Sequence, residues 1–220
     1  MARPAGSRLS DELPDFEPEY FARRDDADDA EFYVLPRLVH HLDQPARDAL
    51  TEFYRRTIPD GARVFDLMSS WVSHLPEDAE YASVEGLGMN REELDANPRL
   101  TDRVVHNLNR DPRLPYGDGS FDACLIALSV QYLTDPLAVF AETARVLAPG
   151  GLCAVSFSNR CFPTKAVAIW QALDDPGHAG LVVTYLRRTP GFAEPAFEDL
   201  SPCPRNDPLF VVSARHKPSP

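Results

Sequence analysis

Short apolar runs alternate with stretches of helical spacing through residues 59–217. A turn signal, Pro59-Asp60-Gly61, precedes the first run. The clearest helix is predicted over residues 136–147, whose apolar side chains share one face before Pro149-Gly150-Gly151 ends it. Five runs have the length of buried strands, namely 62–67, 81–87, 103–106, 121–128 and 152–157. This alternation predicts an α/β fold with a parallel sheet and right-handed crossovers.

The two ends of the chain differ from this pattern. Residues 191–200 and 208–215 read as two strands joined by a loop, which predicts an antiparallel edge. Residues 1–30 are polar and acidic, and we expect a flexible tail there. Residues 31–58 predict two helices that pack on the domain at 59–217, the first from the spacing of Val34, Leu35, Leu38, Val39 and Leu42, the second with Asp43 as N-cap.

Composition narrows the class of protein. The chain has 220 residues and a formal net charge of -12, from 34 acidic and 22 basic residues, which argues against a nucleic-acid partner. No apolar run approaches the roughly 18 residues of a membrane span, and we see no signal peptide, so we expect a cytoplasmic protein without a membrane partner. The four cysteines are scattered, and we expect no metal site and no disulfide framework.

Two motifs carry a resemblance to a known family. The first is Leu114-Pro115-Tyr116-Gly117-Asp118-Gly119-Ser120-Phe121-Asp122-Ala123, and the second is Ala144-Arg145-Val146-Leu147-Ala148-Pro149-Gly150-Gly151. In sequence and spacing the pair resembles class I S-adenosylmethionine-dependent methyltransferases of the small-molecule branch. The resemblance covers residues 60–216. It implies a Rossmann-like, mostly parallel seven-stranded sheet with an antiparallel last strand, helices on both faces, and S-adenosylmethionine as cofactor.

The family's cofactor loop has lost its glycines in this chain. Relatives read DxGxGxG after the first strand, whereas here Asp66 is followed by Met68, Ser70 and Val72 at the glycine positions. We expect Asp66, Met68, Ser69 and Ser70 to contact the cofactor, with the two serine hydroxyls near its carboxylate at a helix N-terminus. The alternative is that the loop has closed and binds nothing.

Two further loops are implied to bind the nucleoside part of the cofactor. The position of the family's acidic residue, which binds the ribose hydroxyls, is occupied by Gly88 here. Gly88, Met89 and Asn90 are the candidates for this part of the site. Because glycine has no side chain, Asn90 or Glu85 is the alternative source of the ribose contact. The adenine loop corresponds to Asn107, Leu108 and Asn109, where asparagine can also serve simple turn chemistry.

Candidate substrate residues follow the fourth and fifth strands. Ser129 is a cofactor candidate, and Gln131, Tyr132 and His74 are the catalytic candidates, with His40 and His41 as further sources of a base. Asn159 and Arg160 are candidates for substrate binding, with an acidic surface as the alternative partner of Arg160. Tyr33, Arg37 and Trp71 are candidates for a lid carried by the N-terminal helix, although aromatic residues at such spacing also pack in cores.

Two functions remain open on this reading. The first is methyl transfer to an oxygen, nitrogen or sulfur atom of a small molecule. The second is a methyltransferase-like protein that has lost turnover and acts by binding or regulation, as the missing glycines suggest. A nicotinamide oxidoreductase is disfavoured because no GxGxxG follows the first strand. The sequence identifies neither the methyl acceptor nor an oligomeric state.

Overall fold

A seven-stranded sheet forms the centre of the protein, and the computed structural model describes residues 16–218. Its strands lie in the order β3-β2-β1-β4-β5-β7-β6. They are β1 Arg63–Leu67, β2 Ser83–Gly88, β3 Asp102–Val105, β4 Phe121–Ala127, β5 Leu147–Phe157, β6 Ala196–Asp199 and β7 Phe210–Arg215. Strands β1 to β5 pair in parallel, whereas β7 pairs antiparallel with both β5 and β6. The predicted fold class and the antiparallel edge are therefore confirmed.

Helices lie on both faces of the sheet. They are α1 Asp29–Phe32, α2 Gln44–Thr57, α3 Arg91–Ala96, α4 Pro136–Val146, α5 Ala168–Ala172 and α6 Asp175–Arg188, with a short 3-10 helix at Pro18–Phe21 and another at Val130–Tyr132. Asp43 accepts a hydrogen bond from Ala46 N and caps α2 as expected, and Asp135 caps α4 in the same way. One core cluster joins α2 and Leu94 of α3 to one sheet face, and a second joins α4 and α6 to the other.

The predicted first helix over residues 34–42 is wrong. Helix α1 ends at Phe32, and the following segment to Asp43 has no helix. Val34, Leu35, Leu38 and Val39, whose spacing suggested a buried face, are between 49% and 72% exposed. Helical spacing of apolar residues therefore did not mark a packed helix here, because this stretch covers the site described below.

Residues 16–30 do not behave as the flexible tail that the sequence predicted. Asp25 N donates to Thr164 O at 2.9 Å, and Ala168 N donates to Ala22 O at 2.8 Å. Phe16 and Phe21 pack against the ring of Tyr185 on α6. This segment is therefore part of the folded domain, while residues 1–15 of the expected tail lie outside the described residues.

Candidate cofactor and substrate site

A cavity of about 500 Å³ lies at the carboxyl ends of the parallel strands. Residues that follow β1, β2, β3, β4 and β5 line the cavity. The N-terminal segment at residues 23–41, which we call the covering segment, covers it. Strand order reverses between β1 and β4, which is where ligands bind in open α/β sheets. The volume falls within the range of about 300–1,000 Å³ that is usual for small-molecule sites.

Almost all of the predicted site residues meet in this cavity. Those that line it are Tyr33, Arg37, Asp66, Met68, Ser69, Ser70, Trp71, His74, Gly88, Met89, Asn90, Asn107, Leu108, Asn109, Ser129, Tyr132, Asn159 and Arg160. Gln131 is the exception: it is 2% exposed, does not line the cavity, and donates through Nε2 to Leu128 O. In this structure its side chain holds the neighbouring turn, and a catalytic role for Gln131 stays a prediction.

Backbone strain is concentrated at the cavity. Within residues 16–218, three non-glycine residues have positive φ, namely Met68 at 61°, His74 at 56° and Leu128 at 56°, and all three line the cavity. Such conformations cost free energy and persist where the surrounding structure imposes them, often at functional sites. Met68 stands where the family has the first glycine of its loop, and it adopts a left-handed conformation that glycine would adopt without this cost.

Asp66 is held by the serines that follow it. Ser69 Oγ and Ser73 Oγ each donate to Asp66 Oδ2 at 2.6 Å. The carboxyl is 3% exposed, and this burial raises its pKa to about 6, although the two hydroxyl donors act in the opposite direction. At neutral pH Asp66 is therefore mostly ionised, and it lines the cavity.

The helix that we expected after β1 is absent. Residues 68–82, all of which the structure describes, contain no helix, so Ser69 and Ser70 do not lie at a helix N-terminus. Ser69 N instead donates to Leu87 O at 2.7 Å, which ties the loop to β2. The macrodipole that usually favours an anion here is therefore missing, and the backbone and hydroxyl groups of the loop are the remaining donors.

Gly88 is required by a close approach of that loop. A Cβ atom at Gly88 would lie 2.2 Å from Ser69 O and 3.1 Å from Leu94 Cδ2. The acidic side chain that relatives place here would collide with the loop backbone. Glu85, one of our alternatives, lies within β2 and does not line the cavity.

Glu93 is a cavity carboxylate that the sequence analysis missed. It lies in the first turn of α3, is 7% exposed, and accepts hydrogen bonds from Arg37 N and from Ser70 Oγ. Asn90 caps α3 by accepting from Glu93 N, and its amide nitrogen donates to Tyr33 O and Val34 O. The capping pattern Asn90-Arg91-Glu92-Glu93 was the available signal.

The asparagine loop after β3 mainly holds the N-terminal segment. Asn109 donates to Asp29 Oδ2 and to Tyr132 O, and it accepts from Thr134 N. Its side-chain hydrogen bonds are thus made within the protein, and its contact with adenine stays a prediction. Asn107 donates at 3.2 Å to Asp28 Oδ1, and Leu108 packs in the core beneath the cavity.

A buried ionic cluster fixes the N-terminal segment over the site. Lys165 is fully buried, and its Nζ lies 3.2 Å from Asp25 Oδ2 and 3.3 Å from Asp29 Oδ1. Arg23 Nη1 lies 2.7 Å from the same Asp29 oxygen. From the sequence, the charged run Arg23 to Asp29 predicted a solvent-exposed segment. The structure shows that Lys165 lies beside this run and that the run is packed against it.

The covering segment brings Tyr33 and Arg37 to the cavity without the predicted helix, and Trp71 reaches the cavity from the loop after β1. Trp71 Nε1 donates to Val39 O at 3.1 Å, and the His40 and Trp71 rings lie 4.5 Å apart. Met68 and Trp71 line the cavity and do not fill it. The lid function that we expected for these residues remains a prediction, but its helical form is corrected.

The remaining polar candidates differ in whether their polar atoms already have a partner within the protein. Ser129 is 8% exposed, and its Oγ has no hydrogen-bond partner among the described residues. Tyr132 Oη accepts from Phe162 N, and burial raises its pKa to about 12. Arg160 pairs with Asp207 Oδ1 at 2.6 Å, as our acidic-surface alternative proposed, while Asn159 lies exposed at the rim.

Burial disfavours the protonated form of two histidines that line the site. Burial lowers the pKa of His74 to about 4, and nearby Arg47 adds to this effect. Burial also lowers the pKa of His41. His74 is therefore a weak base with its imidazole unprotonated at neutral pH.

Within residues 16–218, no group of three or more histidine, cysteine or acidic side chains is placed to hold a metal ion. No helix in the same range has the length and apolar character to cross a membrane.

Comparisons with known proteins point to one family. Residues 72–155 match a family model described as a methyltransferase domain. The bifunctional biotin biosynthesis protein BioHC of Teredinibacter turnerae is 37% identical over 79 residues, which cover 36% of this chain and 14% of that protein. Methyltransferase GfsG of Streptomyces halstedii is 36% identical over 81 residues, which cover 34% of this chain and 29% of that protein.

A solved structure extends the similarity to the whole fold. The S-adenosylmethionine-dependent methyltransferase from Mesorhizobium loti superposes with a TM-score of 0.53 at 18% identity, covering 76% of this chain and 98% of that one. The chain spans less than a third of each of the two curated relatives, so their activities are not transferred to it. Residues 72–155 are therefore similar in sequence to a methyltransferase domain, and the sheet shares the fold of a solved S-adenosylmethionine-dependent methyltransferase.

Proposed function

We propose that this chain binds S-adenosylmethionine in the cavity and transfers its methyl group to an oxygen, nitrogen or sulfur atom of a small molecule. The observation that carries the proposal is the cavity itself. It lies at the strand switch point, and Met68, at the position of the family's first loop glycine, has a left-handed backbone there.

The residues present fit the cofactor in two respects. Asp66 offers a buried carboxylate beside the strand switch point, which suits a ligand with cationic groups because their charge compensates its burial. Ser129 Oγ is buried without a partner in the described chain, and a polar group of a ligand would satisfy it. Asp66, Ser69, Ser70 and Ser129 would hold the amino acid end, and Met89, Asn107 and Leu108 would border the nucleoside.

The ribose contact is the departure from the family. Because Gly88 cannot carry a side chain, we propose that Glu93 and Asn90 are the polar groups nearest to the ribose at this end of β2. Both already bind the covering segment, so cofactor binding and lid position are coupled in this proposal.

The chemistry needs little from acid–base groups. When bound, S-adenosylmethionine supplies a methyl group already activated on a sulfonium. The protein's residues align the acceptor and exclude water through the covering segment. For an acceptor that carries a proton, neutral His74 or His41 can receive it, and Tyr132 stays protonated and serves as a hydrogen-bond donor.

A binding protein without turnover is the second candidate. The Ser69 carbonyl lies where the ribose acid of relatives would be, which favours altered nucleoside binding. The two candidates differ in one outcome: a binder takes up the cofactor or its product without methylating any acceptor.

Titration calorimetry with S-adenosylmethionine and S-adenosylhomocysteine tests the proposal. We expect micromolar binding of both to the wild-type protein, and at least tenfold weaker binding to Asp66→Asn, since the variant loses the ionised carboxylate. Asp118→Asn, at an exposed aspartate paired with Arg145, is the control and should bind as wild type does.

Three outcomes separate the readings. Absence of heat with either compound at millimolar concentration contradicts the proposal. Equal affinities in wild type and Asp66→Asn show that the site is misplaced. Binding without transfer of labelled methyl to any acceptor in a small-molecule library supports the binding protein.

A further inference from the structure

The guanidinium of Arg37 is held in place by aromatic rings. Its central carbon lies 4.4 Å from the ring centre of Phe32, 5.4 Å from that of Phe162 and 5.6 Å from that of Tyr33. Nη2 donates to Phe32 O at 2.9 Å. Such stacking fixes the plane of the group and suits the rigid donor fork of arginine.

One nitrogen of this guanidinium has no acceptor. Arg37 Nη1 is buried and makes no hydrogen bond to the described residues, although Arg37 lines the cavity. An unsatisfied buried donor is costly, and more so when it belongs to a charged group. A ligand acceptor in the cavity would remove that cost.

The charge of Arg37 is uncompensated as well. Within residues 16–218, no carboxylate lies at ion-pair distance from its guanidinium, whereas Arg160, the other arginine of the lining, pairs with Asp207. Of the lining carboxylates, Asp29 pairs with Arg23 and Lys165, and the other two accept hydrogen bonds from uncharged donors. The guanidinium of Arg37 is therefore a cation of the site without an ion-pair partner, and an anionic group of a ligand would compensate its charge.

The position of this cation points to the acceptor and away from the cofactor. Phe162 follows β5 and stacks on Tyr132, which follows β4, with ring centres 5.9 Å apart. In the proposed function the cofactor lies across the ends of β1, β2 and β3, on the other side of the switch point. Tyr132 and Phe162 add apolar ring surface to this side of the cavity.

We propose that the methyl acceptor is a small molecule with an aromatic or other planar apolar body and a carboxylate, and that Arg37 Nη1 binds the carboxylate. This inference rests on the proposed function. Arg37 determines which acceptor is bound, while Phe162 and Tyr132 contact its apolar body.

Matched probes test the charge preference directly. Benzoate and benzamide have the same shape and differ in charge, so their affinities for the protein saturated with S-adenosylhomocysteine are compared by titration calorimetry. We expect benzoate to bind about tenfold or more tightly than benzamide, as a charge-assisted hydrogen bond provides. Arg37→Gln should remove this preference.

The chain offers a closely matched control in Arg99. Its guanidinium also lies over a tyrosine ring, at 5.5 Å from the centre of Tyr81, and donates to Ala79 O at 2.8 Å, with a buried Nε that lacks a partner in the described residues. Arg99 does not line the cavity. Arg99→Gln should therefore keep the wild-type preference for benzoate.

The outcomes are distinct from those of the proposed function. If S-adenosylhomocysteine does not bind the wild-type protein, the proposed function fails first. If it binds but benzoate is not preferred, does not bind, or stays preferred in Arg37→Gln, the inference is overturned. A loss of affinity in Arg37→Gln for S-adenosylhomocysteine, but not for 5′-methylthioadenosine, would assign the guanidinium to the cofactor's own carboxylate and also overturn it.

Discussion

Single residues around the cavity carry conformations that their side chains disfavour. Met68, His74 and Leu128 are left-handed, and methionine, histidine and leucine give no sequence signal for that geometry. The resemblance to glycine-containing relatives located Met68, but the strain at His74 and Leu128 was not predictable. Gly88 shows the reverse case: its sequence position suggested a lost ribose contact, and the structure supplies the steric reason.

The close approach at Gly88 makes a prediction at this scale. Gly88→Ala should destabilise the protein by about 2 kcal/mol or more, because the new methyl group meets the Ser69 carbonyl at a distance no packed atoms adopt. Gly117→Ala is the control: its nearest contact would be Ser120 Oγ at 3.6 Å, so we expect a change within about 0.5 kcal/mol. Urea denaturation measures both. Similar midpoints for the two variants would show that the Ser69 loop moves freely.

At the scale of elements, turn residues and apolar runs were reliable guides to the sheet. Pro59-Asp60-Gly61 precedes β1, and the predicted helix at 136–147 ends one residue from its observed limit at Val146. The helices at 34–42 and after β1 were not formed, because there the chain covers a ligand cavity instead of a hydrophobic face. Local periodicity does not distinguish these two environments.

The buried cluster around Lys165 determines how the N-terminal segment is held. Lys165→Met should destabilise the protein by about 3–5 kcal/mol, since it leaves the buried Asp29 without one of its two cations. It should also speed tryptic cleavage after Arg23 and Arg24. Lys217, the other lysine of the chain, is exposed, and Lys217→Met should change neither property. Wild-type cleavage rates in Lys165→Met would show that the segment is held by other contacts.

For the molecule as a whole, the site depends on parts of the chain that are distant in sequence. The family segment at 72–155 contains β2 to β4, but β1 and the covering residues Tyr33 and Arg37 precede it. The fold class followed from the alternation of strands and helices. The cover of the cavity did not, because it arises from contacts such as that between Asn90 and Tyr33, which no local pattern encodes.

Global stability should record the burial of Asp66. Its pKa rises from an ordinary 3.8 to about 6 on folding, so the folded state binds more protons between these values, and stability falls as pH rises from about 4 to 6. The Asp66→Asn substitution removes this loss. Between pH 4 and pH 7, the free energy of unfolding of the variant should therefore rise by up to about 3 kcal/mol relative to that of wild type.

Asp122 provides a control of opposite sign. Its hydrogen bonds from Arg63 lower the pKa of its carboxyl, so its contribution to stability is present above about pH 4 and is lost as pH falls below that value. Asp122→Asn should therefore be less stable than wild type at pH 4 and at pH 7 alike, and the difference should shrink towards about pH 2. Urea denaturation over this pH range measures both trends. Parallel pH profiles for wild type and Asp66→Asn would contradict the buried, ionised carboxylate.

The crossover from β1 to β2 lacks a helix, and this has a consequence for the order in which the protein assembles. A helix in that crossover would form early from its own local hydrogen bonds, whereas residues 68–82 make hydrogen bonds to partners distant in sequence, among them Leu87, Glu93 and Asn97. We therefore expect this loop, which forms one wall of the cavity, to become ordered only after the strands on either side have paired. Its backbone amides should be among the first to exchange their hydrogens for deuterium. A ligand that slows this exchange would stabilise the loop and so complete the folded structure.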